Sequence, residues 1–456
     1  MRRRRTVAVL VVAGILLAAC SPSDGSAAGT AATSGSGSGS SAIGPGDPTD
    51  SASSGAGTAN GLSEPPAAGP ASSQTRTPPA SSRPSASSAT ASSHATVPAK
   101  PSPPKPSPAV DVLPGMPPVV DPHNIYSQAG ANMLGPVAKR SKAYAYVPNT
   151  KSGDVWVIDQ RTFQVVDKFP VGQEVQHVVP SHDMTALYAT DDVGNVIRRI
   201  DPITGKPGAT IPVADPYNMY FTPDGKYAIS VAEELRSLIW YDPVTWKEVA
   251  RQQYPECDGL DHGDFTPNGR IAVFSCEFAG RVAVVDMQSR RLIRMVDMPQ
   301  RNTMMGPQDL RIAPDGSKFY IADSDSNGVW VLDKDLRTVT RHIDTGKGAH
   351  GLYFSRDAKR LFVSNRLEGS VSVLDAYTGD PITKWQIPGG GSPDMGNVSA
   401  DGSQLWLSGR YDNVVYVIST ADGHLITKIP AGNSPHGLAL MPQPGRYSVG
   451  HTGVTR

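Results

Sequence analysis

The sequence predicts an all-β fold, a seven-bladed β-propeller with four-stranded blades, on three observations. First, strand-like runs ending in a polar mark recur at Asp159, Asp201, Asp242, Asp286, Asp333, Asp375 and Ser419, in steps of 42, 41, 44, 47, 42 and 44 residues. Seven marks at that period indicate a ring of similar four-stranded units. Second, Asp-Gly turns punctuate the units, as in "TPDGK" (222–226), "APDGS" (313–317) and "SADGS" (399–403). Third, the chain closes on a surplus strand, "HGLAL" (436–440), while the first unit lacks its opening one.

Each unit divides into four strands. Strand A begins near a recurring polar position, as in "HGLYF" (350–354) and "HGDF" (262–265). The Asp-Gly turn supplies the positive-φ residue that a tight reversal needs. Strand B follows, as in "RLFVS" (360–364), then strand C up to the polar mark. Strand D alternates apolar and polar residues, as in "LITKIPAG" (425–432), the pattern of a half-buried strand. Placing 436–440 in the first blade joins the two ends of the ring and leaves no open sheet edge.

Three regions precede or compose this ring. Residues 1–19 hold four arginines and the apolar run Val7 to Ala19, too short for a spanning helix and suited to a signal peptide. The run ends in Leu17-Ala18-Ala19-Cys20, which resembles the bacterial lipobox. That resemblance implies acylation of Cys20 with palmitate-type chains and a membrane anchor on the extracytoplasmic face of the cell membrane. Residues 20–118 are rich in Ser, Ala, Gly and Pro and read as a disordered linker. Residues 119–456 are expected to form the propeller.

The units resemble the YVTN-type propeller repeat of secreted and surface bacterial proteins, with "YVPN" (146–149) and "FVSN" (362–365) at the motif's own place. Related propellers include a lactonase family, nitrous oxide reductase and cytochrome cd1 nitrite reductase. The resemblance implies the fold; activity must be argued from the site.

Strands A and B are antiparallel, so the start of A and the end of B share one face, at a mouth of the central channel. That gathers His177, Asn218, Asp261, His262, Glu277, Asp309, His350, Arg366, Asp394, Arg410 and His436 into a candidate ligand-binding or catalytic belt. The favoured reading is a binding or scaffolding module, not an enzyme, for a small-molecule, peptide or cell-wall ligand. A lactonase- or lyase-like enzyme, or a redox protein, is the alternative: a histidine would act as base, an acid as its partner and the arginines as an anion clamp. No cofactor is favoured. A single copper ion on His177, His262, His350 and His436 is the alternative, and few aromatic residues stand near the belt to stack a haem. Lys plus Arg and Asp plus Glu both total 42, which excludes a basic surface for nucleic acid.

With Cys20 assigned to lipid, Cys257 and Cys276 remain as an even pair in an exported chain and predict a disulfide. "DSDSNG" (323–328) resembles the start of a calcium loop, but Lys334 stands where the loop needs an acid, so a plain turn is expected. If Cys20 carries the anchor, Cys20→Ala will move the protein from the membrane to the soluble fraction and abolish labelling by a palmitate analogue. Unchanged fractionation would remove the lipoprotein reading.

Overall fold

The computed structural model describes residues 110–300 and 305–456. Cys20, the signal peptide and nearly all of the linker lie outside the described residues. Seven antiparallel sheets form the propeller. Within a blade, burial falls from the channel outward. In blade 6 the innermost strand, Ala349–Phe354, is almost wholly buried, whereas the outermost, Pro381–Gln386, is almost wholly exposed.

The ring closes as the sequence analysis expected. Ala439–Met441 is the innermost strand of blade 1 and pairs with Tyr144–Asn149, Met441 opposite Tyr144 and Ala439 opposite Tyr146. The core lies between blades. Tyr320, Val329 and Val331 of blade 5, for example, pack on Leu352, Leu361 and Val363 of blade 6. Each fully buried Val or Leu contributes about 2 kcal/mol, so successive blades adhere through their alternating apolar positions. The Asp-Gly turns take the form the sequence implies: Gly225 has φ +70°, and Asp224 accepts the Thr222 hydroxyl at 2.6 Å.

Two segments depart from the repeat. The packed body begins before residue 119: Leu113 and Met116 are buried between blades 3 and 4, and the Leu113 N–H bonds the Asn268 carbonyl at 2.8 Å. Two apolar side chains in a Pro-rich stretch are enough to dock it, and composition did not reveal them. The second departure lies after the closing strand. Ser448–Gly450 and Val454–Thr455 form a hairpin that enters the channel, where Gly450 pairs with Tyr220 of blade 3. Arg456 anchors it through Asp264 and the Phe265 carbonyl. The hairpin occupies one end of the channel.

Cys257 and Cys276 form the expected disulfide, with Cα atoms 4.8 Å apart across 19 residues. It ties the loop entering the innermost strand of blade 4 to the neighbouring strand. Cys257→Ser with Cys276→Ser is expected to lower the unfolding free energy by about 3 kcal/mol, the scale set by closing a loop of this length. Urea denaturation measures it, and an unchanged midpoint would contradict a bracing role.

Candidate functional site

A regular strand sends successive side chains to opposite faces. The innermost strands here break that rule at one place. Leu260 faces Cys276 and Gly263 faces Phe274, so three steps on one strand match two on its neighbour. The same bulge recurs at Val175/Val178, Pro307/Leu310, Ala349/Leu352 and Pro393/Gly396. A bulge re-aims side chains. Consecutive residues such as Asp261 and His262 therefore both reach the channel cluster. The bulge also corrects the repeat alignment: His350 and His436 hold the first bulge position, His177 and His262 the second. The His-Gly pairs are one residue out of phase, and the belt is two tiers deep.

Five histidines meet on the axis: His177, His262, His350, His436 and His451, none more than 2% exposed. They form a sealed cluster below the mouth, deeper than the rim the sequence suggested. His177 and His262 bring their Nε2 atoms to 3.3 Å. His177 Nδ1 is 2.8 Å from the Tyr217 carbonyl, and His262 Nδ1 abuts the Asp261 carboxylate. Asp261 is buried, its Oδ1 meets the His262 ring and its Oδ2 has no hydrogen bond. Asp394 lies between two imidazoles: His436 Nδ1 donates to Oδ2 at 2.7 Å, and His350 Nδ1 is 3.1 Å from Oδ1. Arg366 reaches the same carboxylate at 3.3 Å. The Tyr217 hydroxyl stands 3.3 Å from His436 Nε2. Asp309 binds Arg311 at 2.9 Å and His451 Nε2 at 3.2 Å, and accepts the Leu352 N–H.

Burial, then neighbouring positive charge, pushes His177, His436 and His451 well below the usual histidine range; in His177 that charge comes from the other imidazoles. His350 is lowered by burial despite Asp394. Burial acts the same way on His262, but the Asp261 carboxylate outweighs it and raises this one imidazole. Tyr217 is raised by burial and by Asp261, Glu233 and Glu277, so its hydroxyl keeps its proton.

Above the histidines lies a tier from the residues just after each second strand. The N–H groups of Glu277, Arg366 and Arg410 bond the carbonyls of Gly259, Gly348 and Ser392, an equivalent contact in three blades. Glu233 holds the matching place in blade 3, one residue beyond Ala232. Acids thus face the mouth from blades 3 and 4, bases from blades 6 and 7. Arg410 also donates to Thr150 at 3.3 Å. Burial, reinforced by Asp261, raises Glu277 to about 7. Beside this tier a cavity of about 450 Å³ is lined by Glu174, Asp192, Asp215, Glu233 and Glu234.

Asn218 is absent from the cluster. Its Oδ1 turns onto the Met219 N–H at 2.7 Å, and Tyr217, one residue earlier, takes the place at the axis. "DSDSNG" is a turn: Asp323 accepts the Ser326 N–H at 2.8 Å and the Trp330 indole at 3.2 Å. Sequence reasoning missed Tyr217, Arg311 and above all His451. The one signal for His451 was "SVGHTGV" (448–454), two apolar arms around a glycine-flanked tip.

A family profile for YNCE-like β-propellers matches residues 112–445. The chain belongs to the YNCE-like β-propeller family. Among solved structures, it is similar to a functionally unknown protein from Desulfotomaculum acetoxidans DSM 771. That likeness has a TM-score of 0.55 and 16% identity, over 66% of this chain and 100% of that one, and shows the fold alone. Kuenenia stuttgartiensis hydrazine synthase matches at 0.49 and 17%, over 57% and 87% of the two chains. Dihydro-heme d1 dehydrogenase NirN, in complex with DHE, matches at 0.49 and 14%, over 65% and 74%. Neither of these two bears on the site. No curated protein matches significantly. Within this YNCE-like propeller, function must be read from the channel residues.

Burial raises Asp192 to about 7 and Asp215 to about 6. An acid raised on folding favours the folded state below its unfolded pKa, and that stability is lost as pH rises through the folded value. Asp192→Asn with Asp215→Asn is therefore expected to gain stability relative to the parent between pH 5 and pH 8, by at least about 1 kcal/mol. Urea midpoints at the two pH values measure this, and a parallel response in parent and variant would contradict it.

Proposed function

We propose that this YNCE-like propeller is a cell-envelope lipoprotein, anchored through Cys20, that binds a ligand at the channel mouth. The observation that carries the reading is the division of acidic and basic side chains there; burial raises both acids, so a bound cation would favour their ionised forms. Glu233 and Glu277 face the mouth from blades 3 and 4, Arg366 and Arg410 from blades 6 and 7. Such a rim complements a ligand with a cation at one end and an anion at the other, as in a short peptide or a cell-wall fragment. The Tyr217 hydroxyl between them keeps its proton, and the two described cysteines are joined, so neither supplies a nucleophile.

A second reading rests on one chain of contacts, from Asp394 through His436 to the Tyr217 hydroxyl. It would let Tyr217 act as a general acid in an extracytoplasmic enzyme. Loss of turnover in Tyr217→Phe with binding retained would favour it.

The test uses a free dipeptide and its acetylated and amidated forms, titrated calorimetrically into the full-length protein. The free form should bind, with affinity falling at least about 10-fold on capping either end and on Arg410→Glu, as expected when a charge-assisted contact of 1.5–3 kcal/mol is lost. Equal binding of capped and free peptides, or no binding, would contradict the proposal.

A further inference from the structure

The His177–His262 pair brings two ring nitrogens face to face inside the cluster. The Tyr217 carbonyl can only accept, so His177 carries its proton on Nδ1. The Asp261 carboxylate beside His262 Nδ1 requires a proton there too. In both neutral rings the lone pair then lies on Nε2, and the two Nε2 atoms face each other at 3.3 Å. Two lone pairs at that distance repel unless a cation stands between them, either a proton shared by the two rings or a metal ion bound by both. Nitrogen ligands about 2.0–2.1 Å from a tetrahedral metal lie about 3.4 Å apart. A third imidazole, His451, offers a nitrogen within 4.8 Å of both. It comes from neither a blade nor the repeat, but from the tip of the channel-filling hairpin. Asp261, buried against the His262 ring, supplies negative charge beside the pair.

We infer that His177, His262 and His451 form a buried site for one divalent late transition-metal ion, copper or zinc. Three imidazole nitrogens without thiolate suit both ions, and copper(II) binds the tighter in the general order. The carbonyl of Tyr217 and the carboxylate of Asp261 orient the first two rings, the outer contacts that metal-binding histidines use. His451 closes the set. The Thr452 N–H now meets its Nδ1 at 2.7 Å, which keeps the proton on Nε2, facing Asp309. Coordination through Nε2 moves that proton to Nδ1 and turns the ring off Thr452. The tip lies between Gly450 and Gly453, both at positive φ. His350 and His436 are held by Asp394 and stay outside the set. The site is independent of the mouth ligand, so failure of one reading leaves the other standing.

The experiment strips the full-length protein with chelator and titrates copper(II) and zinc(II) separately by calorimetry, with electron paramagnetic resonance on the copper form. The expected result is one equivalent, nitrogen couplings from three imidazoles, and displacement of either ion by the other. His177→Gln, His262→Gln and His451→Gln should each weaken binding at least about 100-fold, while His350→Gln stays within a few-fold. Saturation by one ion and not the other supports the site and identifies its metal. No binding, or binding unchanged in His177→Gln and His262→Gln, overturns it, as does loss in His350→Gln with His451→Gln unaffected. Should a variant fail to fold, the nitrogen count on the unaltered protein decides: fewer than two imidazoles overturns the site.

Discussion

Seven strands converging on one axis would each present a single residue at any level of the channel, since a strand turns alternate side chains away. The bulge near the start of the innermost strands relaxes that limit. It brings Asp261 and His262 together into the channel and does the same along several of the blades. The channel interior thereby becomes a stacked set of ionisable groups, and everything else in the site answers to their burial.

Buried charges must satisfy one another. Asp394 is shared by His350, His436 and Arg366, and Asp309 by Arg311 and His451. Removing one partner of such a buried pair typically costs about 3–5 kcal/mol, because the other is left uncompensated. These groups are therefore constrained in position by their neighbours on other blades. The hairpin belongs to the same network: it supplies His451 to Asp309 and Arg456 to Asp264. It completes the polar interior from below and leaves the charged tier at the mouth facing outward.

The propeller, its closure by the C-terminal strand and the disulfide were legible because each has a signature along the chain: a period, a surplus strand, an even cysteine pair. The site was legible in part. The types of residue at strand starts were visible, but a bulge shifts pairing by one residue and leaves no mark in composition. His350 was therefore aligned with His262, when it stands level with Asp261. Asn218 was chosen where Tyr217 faces the axis; the innermost strand of blade 3 pairs without a bulge, so its alignment with the bulged blades is offset. His451 escaped because it follows the last repeat, and a repeat-based reading stops there. Leu113 and Met116 escaped because two apolar residues in a polar, Pro-rich stretch do not change its average.

The central claim is that five imidazoles are sealed together in fixed protonation states. Nitrogen-15 NMR of the histidine rings in metal-free, full-length protein tests it most directly, with pH lowered through 6.5. The account predicts that His177, His350, His436 and His451 remain neutral through that range, with His177 protonated on Nδ1 and His451 on Nε2. Ordinary titration of these rings near 6.5, as for exposed imidazole, would contradict it.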